Sequence, residues 1–339
     1  MTGAPFNILF TCVGRRVALL RAFRRAMDDL GLTGKLVGTD MTHAAAAMQI
    51  ADCREIIPPV NTLHYIPALR ELVARHAIRL VVPLTDLDLR TLSRHAEEFA
   101  AMGCQFMVGG EDAIAHCRDK LKFNAVIRNA GLRLIRSCDI HEFRQNPFFP
   151  CFDKPLHGSS AVGSGRLRND REMRAHIATF GDLLMFQDYV PGQEYTIDVF
   201  RRRDGVVCAV VPRQRLAVRS GEVEKGITVN DPQLIDSVLR LVEQLPGMWG
   251  VFNAQCRRPI GGVPHFFEVN ARFGGGVTLS IQAGADMPKM LLMELLGQPP
   301  EPRVGQFTDR LMMMRYDEAI FTVVDDPSQL PGFKEPISR

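Results

Sequence analysis

The sequence predicts an α/β lobe with a parallel sheet, followed by two α+β lobes. Strand and helix signals alternate over residues 1–111, whereas strand signals dominate residues 193–325. The chain has 339 residues, which is longer than one compact core usually extends. We therefore expect two or three lobes, and the pattern of signals divides the chain into residues 1–111, 112–192 and 193–325, with a loosely held tail over residues 326–339.

The first lobe is predicted from short apolar strands that alternate with amphipathic helices. Such an alternation is typical of a parallel sheet with helices on both faces. Ligands of these sheets bind at the carboxyl ends of the strands, where Gly14, Asp40 and Asp86 fall. The predicted strands cover residues 7–13, 35–39, 78–83 and 105–108, and the predicted helices cover residues 17–30 and 63–76.

The later lobes are predicted from the same patterns. The second region has a helix over residues 118–130, a strand that ends at 153–155, a helix from 170 and a strand over 183–189. The third region is mainly strands, with a helix over residues 232–245 and a closing pair of strands over 311–316 and 320–324.

Composition excludes several classes of protein. The formal net charge is only +3 and no basic run alternates with aromatic residues, so we expect no nucleic-acid partner. No window approaches about 18 uninterrupted apolar residues, and no basic start precedes a long apolar stretch. We therefore expect a cytoplasmic protein without a membrane partner. The eight cysteines contain no Cys-x-x-Cys pair and are interpreted as reduced thiols.

A glycine- and serine-rich loop follows the strand that ends at Lys154. Its backbone N–H groups and hydroxyls can wrap a phosphate chain, and the Lys154 ammonium can face the phosphates. The loop lacks the Gly-Lys-Ser/Thr of a P-loop, and by itself a surface loop explains it equally well. The candidate phosphate-binding residues of the loop are Gly158, Ser159, Ser160 and Gly163.

A second candidate site lies on a predicted strand that ends in three glycines. Residues two apart on a strand share a face, so Glu268, Asn270 and Arg272 are expected side by side. A hairpin turn upstream is expected to place Gln255 near Glu268. Carboxylate and amide oxygens suit Mg²⁺, and the arginine can neutralise a transferring phosphoryl group. The alternative is a polar-faced hairpin at a sheet edge.

A third segment breaks an apolar strand at Pro191-Gly192. Such a hinge can present backbone groups to a purine edge, with Glu194 accepting hydrogen bonds from ribose hydroxyls. A plain turn between two strands is the alternative.

Three further features are candidates for substrate contact. Alternation places Arg213, Arg215 and Arg219 on one strand face, where they hold an anion or form ordinary ion pairs. The turn at Gly14, Arg15 and Arg16 precedes a helix N-terminus, which favours anions, although an ordinary turn with exposed arginines fits as well. Asp86 and its neighbour Asp88 bind an amine or cap the next helix.

Together, in this order and spacing, the segments resemble the ATP-grasp superfamily, and within it the carbamoyl-phosphate-synthase-like branch of carboxylate–amine ligases. The resemblance covers roughly residues 7–296. It is carried by Cys117-Arg-Asp-Lys120, Asp153-Lys-Pro155 with its loop, Tyr189-Val-Pro-Gly-Gln-Glu-Tyr195, Asn253-Ala-Gln255 and Glu268-Val-Asn-Ala-Arg-Phe-Gly-Gly-Gly276.

The resemblance implies a Rossmann-like N-terminal lobe and two ATP-grasp lobes that clamp ATP between them. It also implies roles for individual residues. For the nucleotide, it implies that Lys120 and Lys154 face the phosphates, that the glycine-rich loop covers them, that Gln187, Tyr189 and Val190 form the adenine hinge, and that Glu194 accepts hydrogen bonds from the ribose. For the metal, it implies that two Mg²⁺ ions (with Mn²⁺ as an alternative) are bound by Gln255, Glu268 and Asn270. Arg272 is implied to be the catalytic arginine.

Two positions depart from the family pattern. Gln187 stands where relatives often have an acidic residue, and its carbonyl still accepts from the purine amine. Gln255 is neutral where many relatives have Glu or Asp, which weakens one metal position.

The implied activity is an ATP-dependent ligase that joins a small-molecule carboxylate to an amine through an acyl phosphate. A homodimer is common among such proteins. The alternatives are an ATP-grasp kinase, a non-catalytic ATP-binding regulator and, from the first lobe alone, a nicotinamide oxidoreductase. The sequence argues against the last alternative, because it has no Gly-x-Gly-x-x-Gly motif after the first strand.

Overall fold

The computed structural model describes residues 4–155, 164–219, 221–324, 326 and 330, except for the side chains of Lys120, Leu121 and Pro155. Its strands form three sheets in consecutive parts of the chain. Within the described residues, no helix is long and apolar enough to cross a membrane.

The first sheet is parallel and has the strand order β3-β2-β1-β4-β5. This confirms the predicted parallel-sheet lobe. The strands are β1 (Asn7–Thr11), β2 (Leu36–Asp40), β3 (Cys53–Ile56), β4 (Ile78–Pro83) and β5 (Gln105–Phe106). The helices are α1 (Val17–Asp29), α2 (Tyr65–Arg75) and α3 (Leu89–Ala101), with a 3₁₀ turn at Ala46–Ile50.

Helix α1 follows from the spacing of its apolar residues. Leu19, Leu20, Phe23, Ala26 and Met27 recur at intervals of three and four residues and are all buried. The ring of Phe23 contacts that of Phe10 on β1, with 4.9 Å between the ring centroids. Helix α1 is thereby fixed on one face of the first sheet.

The second sheet is antiparallel and has the order β6-β9-β7-β8. Its strands are β6 (Ser137–Asp139), β7 (Cys151–Pro155), β8 (Gly165–Leu167) and β9 (Leu184–Asp188). The helices of this region are α4 (Glu111–Arg118), α5 (Lys120–Asn129), α6 (Ile140–Gln145) and α7 (Asp170–Phe180). The helix predicted around residues 118–130 is confirmed as α5, which begins two residues later because α4 ends at Arg118.

The third sheet is antiparallel and has the order β14-β13-β10-β11-β12-β15. Its strands are β10 (Gln193–Arg201), β11 (Val207–Arg219), β12 (Glu222–Thr228), β13 (Gly250–Arg258), β14 (His265–Asn270) and β15 (Met312–Met314). The helices are α8 (Pro232–Glu243), α9 (Val277–Gln282) and α10 (Met287–Leu295).

The start of α8 is set by local chemistry. Asp231 accepts hydrogen bonds from the backbone N–H groups of Gln233 and Leu234, and Pro232 occupies the first turn, where no N–H is required. The predicted closing pair of strands is wrong in part. Strand β15 pairs with β12, and residues 320–324 form no strand.

The first and third sheets share their cores. One apolar cluster contains Val81 and Phe106 from the first sheet together with Val199 and Phe252 from the third. The second sheet has a separate small cluster, in which Phe143 stacks on Phe186 at 4.1 Å between ring centroids. The molecule is therefore one body with two sheets, which we call the joint body, plus a four-stranded sheet with its own core.

Candidate functional site

Polar side chains gather where strands β13 and β14 pair at the edge of the third sheet. Gln255 lies directly opposite Glu268, and Asn253 lies opposite Asn270. Directly opposite side chains project on the same face, and so do residues two apart. The predicted approach of Gln255 to Glu268 is confirmed. One carboxylate and several amide groups thus share one face.

Arg272 connects this edge to the first sheet. Its Nε and Nη2 atoms donate to one carboxylate oxygen of Asp86, at 2.9 and 2.6 Å, and Nη2 lies 3.4 Å from the Asn270 Oδ1 atom. Asp86 is only 7% exposed, and among the described residues its other carboxylate oxygen has no hydrogen-bond partner. The guanidinium is therefore held beside the predicted metal ligands by a residue of the first lobe.

Asn253 fixes the backbone of the same motif. Its side-chain amide donates to the carbonyl of Arg272 at 3.2 Å, and Asn253 is 1% exposed. Phe273 packs its ring against Phe23 of α1, with 5.5 Å between the centroids. The chain on both sides of the Arg272 side chain is thus anchored in the joint body.

Lys154 comes to the site from β7 of the four-stranded sheet. Burial lowers the pKa of its ammonium, and the neighbouring Glu268 carboxylate offsets part of that change. The Lys154 Nζ atom lies 5.8 Å from the centre of the Phe267 ring on β14. The two predicted phosphate-handling residues, Lys154 and Arg272, therefore lie on opposite sides of the border between the four-stranded sheet and the joint body.

The predicted adenine hinge lies on β9 and the turn after it. Gln187 and Val190 are each 8% exposed, and the ring of Tyr189 packs under the Arg166 guanidinium at 4.1 Å. Glu194 is already paired, since Arg257 donates to it at 2.9 Å and Arg215 lies 3.1 Å from its other oxygen. A ribose at Glu194 would have to share this carboxylate with both guanidiniums.

The arginines of β11 form ion pairs, as the alternative interpretation had it, and the face that was predicted to carry all three is interrupted. Arg213 is 1% exposed and makes two hydrogen bonds to Asp198, at 2.7 and 2.9 Å, so it is a structural ion pair in the core. Two irregularities in the pairing of β11 with β12 lie between Arg215 and Arg219 and interrupt the alternation. Arg219 instead pairs with the exposed Asp317 at 2.6 Å.

The helix-capping alternative for Asp86 and Asp88 is wrong as well. Asp88 occupies the N-cap position of α3, but its side chain makes no capping hydrogen bond. Its carboxylate accepts from the hydroxyls of Thr11 at 2.6 Å and Tyr65 at 3.2 Å. Burial raises the pKa of Asp88 to about 6, and these two hydrogen bonds moderate the effect.

The Gly14 turn has the backbone geometry of a tight turn. Gly14 has φ +43°, and its N–H donates to the Asp40 carboxylate at 2.9 Å. Arg15 lies 3.5 Å from Glu222 of β12. The predicted residues Gly158, Ser159, Ser160 and Gly163, and the side chain of Lys120, lie outside the described part of the chain.

The sequence interpretation named Arg16 with this turn but missed Glu222 and Arg315 beside it. Arg16 and Arg315 approach Glu222 from two other segments of the chain, at 3.3 and 2.9 Å. No spacing pattern links residues 16, 222 and 315, so only the tertiary structure brings them together.

Two family models match the chain. One, described as "PylC-like, N-terminal domain", matches residues 8–107. The other, described as "ATP-grasp in the biosynthetic pathway with Ter operon", matches residues 180–318. Among curated proteins there is no significant match.

Many solved structures have a similar fold. Biotin carboxylase from Campylobacter jejuni, in complex with an ATP analogue, has a TM-score of 0.71 and 16% identity over 90% of this chain and 74% of its own. An L-amino acid ligase from Bacillus licheniformis has a TM-score of 0.68 and 19% identity over 88% and 76%. The biotin carboxylase domain of the Hydrogenobacter thermophilus 2-oxoglutarate carboxylase has a TM-score of 0.69 and 17% identity over 91% and 74%.

The family models and the fold agree with the resemblance drawn from the sequence motifs. The first model covers the strands of the parallel sheet, and the second covers the hairpin that carries Glu268, Asn270 and Arg272. At these sequence identities, the similarity shows that the chain shares the fold of the solved structures but does not show that it shares their substrates. Over residues 180–318 the chain is therefore similar to ATP-grasp proteins, and its fold is that of the solved structures named above.

Proposed function

We propose that this protein is an ATP-dependent ligase that joins a small-molecule carboxylate to an amine through an acyl phosphate, releasing ADP and phosphate. One observation carries the proposal. Arg272 is oriented by Asp86 beside the oxygen donors of β13 and β14, while Lys154 faces the same edge from the four-stranded sheet. Cations placed in this way stabilise charge on a transferring phosphoryl group.

The solved neighbours support ATP as the phosphoryl donor. One is bound to an ATP analogue, and another to MgADP and bicarbonate. A third is an L-amino acid ligase. For this chain we propose that Lys120, Lys154 and the loop with Gly158, Ser159, Ser160 and Gly163 contact the phosphates. Gln187, Tyr189 and Val190 would hold the adenine, and Glu194 the ribose.

The donor set at the hairpin fits Mg²⁺. Glu268 supplies an exposed carboxylate, and Gln255 and Asn270 supply amide oxygens on the same face. With a single carboxylate in the set, nucleotide phosphates must complete the coordination, which is the usual way in which proteins bind this ion. We propose two Mg²⁺ ions, with Mn²⁺ as a substitute. When bound, they neutralise charge on the phosphates.

The chain's own residues then have distinct tasks. Burial lowers the pKa of Lys154, and a negatively charged phosphate beside the ammonium would raise it again and favour the protonated form. Arg272 directs its guanidinium at the charge that develops when the substrate carboxylate attacks the γ-phosphorus. The amine then attacks the acyl carbon and phosphate leaves. Exclusion of water protects the acyl phosphate during this interval.

The test is ADP release from Mg-ATP against amino acids, dipeptides and small diacids, each with and without candidate amines. Release that requires both a carboxylate and an amine is the expected result. Release with a carboxylate alone, unchanged by any amine, would replace the ligase by a kinase. Tight nucleotide binding without release in any mixture would favour a non-catalytic regulator. We also propose that the protein is a homodimer, and sedimentation of the same preparation tests this.

A further inference from the structure

Three arginines from two distant segments surround one glutamate beside the catalytic motif. Arg16 Nη1 lies 3.3 Å from Glu222 Oε1, and Arg315 Nη1 donates to Glu222 Oε2 at 2.9 Å. Arg15 Nη2 lies 3.5 Å from the same Oε2 atom. We call Arg15, Arg16, Arg315 and Glu222 the Glu222 cluster.

The Glu222 cluster is not neutral. Three guanidiniums face one carboxylate, which leaves an excess of two positive charges. The nearest other arginines have their own partners, since Arg272 pairs with Asp86 and Arg213 with Asp198. Arg219 pairs with both Glu224 and the exposed Asp317, and Asp317 also interacts electrostatically with Arg15. These two acids offset part of the excess, and one positive charge remains uncompensated by the neighbouring ion pairs.

Part of this excess charge is removed from water. The side chains of Arg16 and Arg315 are 19% and 33% exposed, whereas that of Arg15 is 68% exposed. Burial lowers the pKa of the Arg16 guanidinium, and Glu222 offsets part of this effect. Partly buried cations without full compensation are costly unless an anion binds to them.

The glycines after Arg272 place the Glu222 cluster next to the reacting centre. A Cβ atom on Gly275 would lie 2.6 Å from Arg16 Nη1 and 2.9 Å from Glu222 Oε1. Only glycine permits so close an approach of these side chains to the backbone. The cluster thus touches the segment three residues after Arg272.

We propose that the Glu222 cluster binds a second anionic group of the acceptor substrate, a carboxylate or a phosphate separate from the carboxylate that reacts. The inference rests on the proposed ligase function and narrows its substrate class to acids with two anionic groups. Arg16 and Arg315 supply forked donors that match either group, and Arg15 closes the exposed rim.

Calorimetry on the full chain, with Mg²⁺ and a non-hydrolysable ATP analogue, tests this site directly. The probes are glutarate against butyrate, and O-phosphoserine against serine. We expect each dianionic probe to bind at least about tenfold more tightly than its matched partner. The two pairs distinguish a carboxylate from a phosphate. Equal affinity within both pairs would overturn the proposal.

Variants give a second criterion. Arg16→Gln and Arg315→Gln are each expected to lower the affinity for the dianionic probe by about 10- to 100-fold, because each removes charge-assisted hydrogen bonds. Arg21→Gln, on the exposed side of α1, is the matched control and should leave this affinity unchanged. Glu222→Gln is expected to strengthen binding several-fold, because it removes the competing carboxylate. A purely structural cluster would show no such gain, and that result would sink the idea.

ADP release in the same preparations separates this proposal from the proposed function. If dianion binding depends on Arg315 but no acid supports ADP release, the anion site stands and the ligase assignment falls. If acids with one anionic group support release as well as those with two, the ligase stands and the second-anion site falls.

Discussion

The joint body and the four-stranded sheet differ in how their cores are made. In the joint body, one apolar cluster runs from Val81 in the first sheet to Phe252 in the third. The four-stranded sheet buries a smaller cluster, around Phe143 and Phe186, whose described members all belong to that sheet and the segments around it. A region with its own core can move as a unit without loss of its internal packing.

The difference matters because the candidate site spans the border. Arg272, Glu268 and Asn270 belong to the joint body, and Lys154 and Gln187 belong to the four-stranded sheet. A nucleotide bound between these residues would contact both the joint body and the four-stranded sheet. The comparison predicts that changes in the joint body affect global stability and turnover, whereas changes in the four-stranded sheet affect local stability and nucleotide binding.

The largest expected effect is in the buried ion pair of the joint body. Arg213→Ala leaves the Asp198 carboxylate charged, buried and without its guanidinium, so the free energy of unfolding should fall by about 3–5 kcal/mol. Urea denaturation measures this. Arg219→Ala, at the exposed pair with Asp317, is the control and should cost less than about 1 kcal/mol. Equal effects of the two changes would contradict a structural role for Arg213.

A change in the four-stranded sheet should act locally. Phe186 is fully buried and stacked on Phe143, so Phe186→Ala should destabilise that sheet by about 3–5 kcal/mol. Hydrogen exchange should show faster opening in β7 and β9 and unchanged protection in β1 and β13. Phe266→Ala, in the shared core, is the matched change for the joint body. Equal loss of protection in all three sheets would show that the cores are not independent.

Arg272→Ala tests the catalytic side of the border. Removal of one preorganised charge donor at a developing negative charge should lower turnover by about 100- to 1000-fold. Nucleotide affinity, measured by calorimetry, should change little, because Lys154 and the hinge remain. Arg310→Ala, at an exposed arginine of the same region, is the control. Unchanged turnover in the Arg272 variant would remove the assignment of this residue.

The pH dependence of stability offers a smaller effect, confined to the joint body. Burial raises the pKa of Asp88 from its ordinary 3.8 to about 6. Because the folded-state value is the higher one, unfolding releases a proton between these values. Stability should therefore fall as the pH rises from about 4 to 6, by about 3 kcal/mol in total, and stay lower above that window.

Asp88→Asn should remove this loss, because an amide does not ionise. The measurement is the difference in unfolding free energy between wild type and variant at several pH values from 4 to 7. Contributions of other acids cancel in that difference. Two curves that run parallel across the window would contradict a titrating Asp88.

Local sequence signals were sufficient for much of the fold. The spacing of Leu19, Phe23 and Met27 predicts α1, and the alternation of Glu268 and Asn270 with apolar neighbours predicts β14. Strand β3 was missed because it is short and only half-buried, and it depends on packing against neighbours that the local pattern does not show. Helix α3 was missed although Leu89, Leu92 and Phe99 recur at helical spacing and are buried, so its pattern was available in the sequence.

The residues of the candidate site also divide into those that local sequence patterns predict and those that they do not. Its hairpin face follows from the period of a strand, so Gln255 and Glu268 could be placed together in advance. The partners of Arg272 and Arg213 could not, because Asp86 is 186 positions from Arg272 and Asp198 lies on another strand. An alternating pattern predicts which face of a strand an arginine occupies, but it does not predict whether a buried carboxylate lies opposite that arginine.

The Asp86–Arg272 pair gives the last and smallest test, at the contact between the first and third sheets. Asp86→Asn keeps an acceptor for the guanidinium but removes its charge. A charge-assisted hydrogen bond is roughly twice as strong as a neutral one, so we expect turnover to fall by about tenfold with little change in nucleotide affinity. Asp317→Asn, at an exposed ion pair, is the control.

A double-mutant cycle then identifies how Asp86 acts. If it acts only by orienting Arg272, the Asp86→Asn change should have no further effect on turnover in an Arg272→Ala background. If Asp86 instead holds the amine substrate through its second carboxylate oxygen, which has no partner among the described residues, the same tenfold loss should persist there and should depend on amine concentration. The first result would make the contact between the two sheets part of the catalytic arrangement, and the second would make Asp86 a substrate ligand in its own right.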